Sequence, residues 1–292
     1  MNQPTPAIVA QGAVRRLPRL ALLALCLAYT VAGFIGREPW KGADLAVFGY
    51  MLEMARGATN WLDPQLMGLR PEADGLLPYW LGAWAMQAAP PWLPLALAAR
   101  LPFVTMLALT LAASWYAVYY LSRGVGAQPV AFAFGGEAKP ADYARAIADG
   151  GLLALIACLG LAQLSHEVTT HLAQLCFATL VFFAAAAMAT RFFVPALAMA
   201  MGLAGLILSA APALAMLLGA GSAMAHLLAR DADASGRQRA ALAIGLITLA
   251  AFAMASALDL WRWRLVLPVD LMGRGGRSFG ELLLWFCWPA WP

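Results

Sequence analysis

The chain has 292 residues, of which 63% are hydrophobic and 12% charged, with a formal net charge of +4. A soluble domain carries about half and a quarter respectively. Here several apolar runs reach 18 residues or more, so the composition describes an all-α, polytopic transmembrane helical bundle. The sequence holds no series of alternating ten-residue segments, which excludes the closed barrel, the other architecture that satisfies a backbone in lipid. Its arginines are scattered through loops rather than gathered in a basic stripe, so nothing in the charge points to a nucleic-acid partner.

Arg15, Arg16 and Arg19 precede an apolar run that predicts a first span at about 17–35. That run is too long for the core of a signal peptide. It ends at Gly-Arg-Glu-Pro instead of a small-x-small cleavage site, so it reads as an uncleaved span. Residues 36–97 then form an external, partly interfacial loop region within a single domain covering 1–292. Inside it, "DLAVFGYMLEMAR" (44–56) puts Leu45, Phe48, Leu52 and Ala55 on one helical face, the pattern of a helix lying in the headgroup zone. Asp44 stands at the start of that helix. It reads either as a helix cap, for which Asp is favoured, or as a general base where a lipid headgroup meets water. The two are compatible, since a helix N-terminus keeps a carboxylate ionised. Next, Pro78, Pro90, Pro91 and Pro94 break an apolar stretch punctuated by Trp80, Trp84 and Trp92. Tryptophan prefers the membrane boundary, so this stretch reads as helix lying in or entering the interface.

Further spans are expected at about 98–121, 149–165, 170–189 and 240–258, with a polar connection over 122–147. Residues 192–228 carry no Asp, Glu, Lys or Arg, and Pro212 interrupts them, which predicts two short spans meeting near 210. The final "LLLWFCWPAWP" starts another apolar run, so the chain is expected to be the N-terminal part of a longer polypeptide. With the N-terminus inside, the inner loops hold Arg15, Arg16, Arg19, Arg123, Lys139, Arg145, Arg191, Arg230, Arg237 and Arg239, as the positive-inside tendency asks. The first loop then faces outward, into the periplasm if the membrane is the inner membrane of a two-membrane bacterium.

Cys26, Cys158, Cys176 and Cys287 all lie in apolar runs without a CxxC, and read as small buried hydrophobes. His166 and Glu167 sit between two expected spans. A zinc helix of the H-E-x-x-H kind places its histidines four apart, whereas His166 and His171 are five apart, roughly 140° around a helix. Substrate binding, loop docking and a polar cap stay open for His166-Glu167. No cofactor is indicated, and a divalent metal held with the acids of 36–76 also stays open. Arg262, Arg264, Arg274 and Arg277 in the last external loop read as solvated charge or as contacts to a lipid phosphate, which guanidinium pairs bidentately. Arg37, Lys41, Arg56 and Arg70 could share that work on the first loop.

The run "REPWKGAD…F…M…ARG…W" directly after the first span resembles the first external loop of GT-C fold glycosyltransferases. The nearer likeness is to the bacterial family 39 branch, with its protein O-mannosyltransferases and aminoarabinose transferases. Asp44 matches the essential loop aspartate of that family, its proposed base. Leu45 stands where the family often has Glu. "GLRPEADGLLPYWLGAW" is similar to the family's "G…E-K-P-P-L-x-Y-W": Tyr79 and Trp80 match, the lysine is missing, and Asp74 stands near its place. "QLSHEVTTHLAQL", with His166 and Glu167, resembles the family's His-Glu at outer helix ends. The resemblance implies a sugar transferred, with inversion, from a polyprenyl-phosphate donor to a lipid or protein acceptor on the periplasmic side. Its base would be Asp44, and Arg37, Lys41, Arg56, Asp74, Tyr79, Trp80, His166, Glu167, Arg262 and Arg264 would bind substrate. Two rival readings stand beside it, a lipid or glycolipid transporter and a noncatalytic membrane assembly subunit. Transporters usually carry ionisable residues within their spans, and those between 149 and 228 hold almost none.

Overall fold

The computed structural model describes residues 8–36, 38–39, 42–71, 75–158, 161, 165–229, 234–263, 276–278 and 280–281. Among them the regular structure is helical, and strand-like pairing is limited to two isolated bridges, Ala10 with Glu137 and Leu66 with Leu69. The longer helices are α1 (Arg19–Ala32), α2 (Gly42–Ala55), α3 (Leu77–Gln87), α4 (Leu95–Ser122) and α5 (Pro140–Ile156). They are followed by α6 (Thr170–Ala187), α7 (Phe193–Leu208), α8 (Pro212–Leu228) and α9 (Ala234–Ala257). By length and composition α4, α6 and α9 could each cross a membrane; α1, α7 and α8 are apolar but shorter.

Helix α6 packs between α4 and α7, α9 packs on α8 and α7, and α1, α3 and α5 pack on α4. Helix α2 packs mainly on α3. The interhelical contacts are close because small residues line them, the device available where lipid and protein interiors are equally apolar. A Cβ built on Gly205 of α7 would fall inside the Phe177 ring of α6. The chain turns from α7 to α8 at Ser209–Ala211, with Ala210 in the left-handed region (φ 63°) and Pro212 opening α8. This is the break expected near 210.

One expectation needs correction. The span foreseen at 149–165 is a helix over Pro140–Ile156. It starts earlier because Pro140 at the first helical position and Asp142 in the first turn are start signals. Its polar residues are absorbed by packing: Asp149 is buried, accepting from Trp115 Nε1 (2.9 Å) and the Leu17 amide (3.1 Å). Helix α2 also has a second, inward stripe beside the apolar face read from the sequence. Asp44, Val47, Met51 and Met54 are buried, whereas Leu45 is 56% exposed. The inward stripe keeps the helical spacing and lies about 100° around the helix from the face of Leu45, Phe48, Leu52 and Ala55. Helix α3 likewise turns inward and buries Tyr79, Ala83 and Met86, leaving Trp84 exposed. Of the cysteines, Cys176 is buried, Cys26 is half-buried and Cys158 is exposed. Cys287 lies outside the described residues.

The first turn of α4, the residues just before α6 and the α7–α8 turn gather at one end of the packed helices. Leu76 N donates to Leu208 O (2.7 Å) and Gln174 Nε2 to Ser209 O (2.6 Å), tying that end together. The other end holds Arg123, the α6–α7 turn and the start of α9. Helix α6, with 18 residues, separates the ends by about 27 Å.

Candidate functional site: a buried Asp44–Arg100 pair

Asp44 is the third residue of α2 and is 3% exposed. Its Oδ1 accepts from the Val168 amide at 3.3 Å, and its Oδ2 lies 3.9 Å from Nη2 of Arg100 in the first turns of α4. The expectation of a carboxylate at the edge of headgroups and water is therefore not met. Asp44 lies among packed helix ends, where a charge is tolerated only with a partner. The arginine supplies that partner, and its side chain is 4% exposed.

Arg100 was not singled out from the sequence, although a signal was present. It is the only charge in "LPLALAARLPFVTMLALTLAAS", and a charge entering an apolar span marks a partner or a site. It holds its place because α4 starts at Leu95 directly after Pro94. That puts Arg100 between α2 and the residues preceding α6.

His166 and Glu167 come next to the pair through Val168. The His166 ring packs against α1: Nε2 donates to Tyr29 O (2.7 Å), and Nδ1 lies 3.2 Å from Ser165 Oγ, itself 3.3 Å from Tyr29 Oη. Tyr29 and Phe34 pack on the ring, with centroids at 5.0 and 5.4 Å. Gly33 makes room, since a Cβ there would fall inside the imidazole. In this geometry His166 fastens to α1 the segment whose Val168 amide holds Asp44. Glu167 is buried beside it.

Tyr79 and Trp80 lie on α3. Tyr79 is fully buried with its ring 5.3 Å from that of Tyr50, and Trp80 Nε1 donates to Trp61 O at 2.7 Å. Both therefore brace α2 and its following loop. Arg56 lies on the surface with Nη1 4.0 Å from Glu53 Oε1, and Arg70 pairs with Asp63 at 2.9 Å. Arg277 pairs with Glu281 at 3.1 Å, both side chains being exposed. Arg37, Lys41, Asp74, Arg264 and Arg274 lie outside the described residues; Arg262 is described only along its backbone, in a short turn over Leu260–Trp263. His226 sits at the opposite end, with Nε2 donating to Ala185 O (2.9 Å). Among the described residues no three of His, Cys, Asp or Glu come together as a metal set.

The chain matches no protein-family model, no curated protein and no solved structure in these comparisons. The likeness to GT-C transferases rests on the motifs quoted above.

Proposed function

We propose that the chain is an integral membrane glycosyltransferase of the GT-C kind, acting at the periplasmic side of a bacterial inner membrane. The observation that carries the reading is convergence. Two of the segments carrying the motifs, around Asp44 and His166-Glu167, are far apart in the chain and meet beside one buried arginine. In this reading the acceptor hydroxyl attacks the anomeric carbon of a polyprenyl-phosphate sugar, and the bond from that carbon to the phosphate oxygen breaks with inversion. Asp44 takes the hydroxyl proton, and Arg100 stabilises the departing lipid phosphate. Because Asp44 is 3% exposed, the helix ends around it must part for the acceptor to reach it.

That same burial favours a second reading, in which the pair is a structural ion pair of a noncatalytic membrane subunit. Removing one partner of a buried pair costs about 3–5 kcal/mol, so Asp44→Asn alone confounds loss of fold with loss of chemistry. The decisive variant is Asp44→Asn with Arg100→Gln, which removes both charges. The double variant should accumulate in the membrane better than either single change. The measurement is incorporation of sugar from a polyprenyl-phosphate donor into lipid and protein fractions of cells expressing the full chain. A folded double variant without transfer supports the enzyme; transfer at the unmodified rate eliminates Asp44 as its base.

A further inference from the structure

A cavity of about 400 Å³ lies at the end of the helices opposite Asp44, lined by Met188–Phe192 of the α6–α7 turn and by Ser235, Gly236, Arg239 and Ala240 of α9. Two guanidinium groups border it, those of Arg191 and Arg239, and both residues are exposed. Among the described residues neither lies within ion-pair distance of a carboxylate. The guanidinium carbon of Arg239 lies 5.1 Å from the centre of the Phe192 ring, a cation–π contact that keeps the group beside the cavity. Such a fork presents several N–H donors to a phosphate.

The surface leading away from this cavity is apolar. On α7, Phe193 is 86% exposed, and Val194, Leu197 and Met201 are exposed with it. These four positions fall within one arc of about 100°. On α9, Leu242, Leu246 and Leu249 form a second exposed apolar stripe beyond Arg239. Positive charge at the mouth and two greasy tracks running from it match an amphiphile with an anionic head and two acyl tails. A free anion would have no use for the tracks.

From this we infer that Arg191 and Arg239 form a binding site for the phosphate of an anionic diacyl phospholipid, with its tails along α7 and α9. The inference rests on the membrane reading of these helices but not on the glycosyltransferase reading, because the cavity is about 27 Å from Asp44 along α6. It places the lipid in the leaflet opposite the proposed chemistry, where basic pockets between helices recognise anionic headgroups.

The test is thermal unfolding of the detergent-solubilised full chain with added phosphatidylglycerol, phosphatidylcholine or inorganic phosphate. Phosphatidylglycerol should raise the midpoint by several degrees, and the other two should leave it unchanged. The shift should vanish in Arg191→Gln/Arg239→Gln and persist in Arg15→Gln/Arg123→Gln, which removes equal charge from exposed positions at the same end. Should the first variant not fold, native mass spectrometry of the unmodified chain in a mixture of the two lipids decides, with selective retention of phosphatidylglycerol as the expected result. An equal response to both lipids, a shift reproduced by inorganic phosphate, or a response surviving the loss of Arg191 and Arg239 overturns the inference. None of these results depends on sugar transfer, so failure here and failure of the enzyme reading are separable.

Discussion

Gly33 and His166 show how single positions decide the geometry around Asp44. His166 fastens the segment before α6 to the end of α1, and it can do so only because residue 33 has no side chain. Gly33→Ala should displace the ring and cost about 1–3 kcal/mol, the range for overpacking a filled site. His166→Ala removes the obstacle along with the hydrogen bonds. The pair should therefore be non-additive, with the double change costing clearly less than the sum of the singles. Thermal unfolding of the four proteins in detergent measures this. Additive losses would show that the ring and the glycine are not in contact. The Asp44–Arg100 test belongs at this scale too, because it asks whether one carboxylate is held for chemistry or for fold.

At the scale of elements, the close approach of α6 and α7 needs small residues at Gly202 and Gly205. Gly205 faces Phe177 so closely that any side chain must push the helices apart. Gly205→Leu should separate α6 from α7 and lower the unfolding midpoint by several degrees, whereas Leu197→Ala, on the exposed face of α7, should shift it little. A circular-dichroism melt compares them. Helix α2 presents two stripes, one inward and one outward. Its apolar residues occupy most of the circumference, so periodicity alone admits two adjacent stripes about 100° apart. Packing on α3 chose the stripe containing Met51 and Met54 and carried Asp44 inward with it.

For the whole molecule, the two ends differ in chemistry. One collects Asp44, Arg100 and the His166–Val168 segment; the other collects Arg123, Arg191 and Arg239, with the N-terminal residues docked onto α5 through Arg16 and Asp142 (2.9 Å). If the helices cross a membrane as proposed, cysteines introduced at Asn60 and at Ala127 in a cysteine-free background must report from opposite sides. Asn60 should label with an impermeant thiol reagent in intact cells, and Ala127 only after permeabilisation. Labelling of both from one side would remove the membrane topology on which the proposed chemistry depends.

The amino-acid order alone was enough for the positions of α4 and α6, for all but the first turns of α9, which starts at Ala234 instead of about 240, and for the break near 210. Apolar run length and proline are local properties, and a helix satisfies its own backbone. It also carried Asp44, His166 and Glu167 as residues to watch, from their place at the ends of apolar runs. It did not carry the partner of Asp44. An arginine inside the next long helix meets that carboxylate only after α2, α3 and α4 have packed, and pairing between distant residues leaves no periodic trace. Tertiary structure alone also decided that Asp44 faces inward and that His166 is a fastening, because burial is set by the neighbouring helices a side chain meets and not by the residues beside it in sequence.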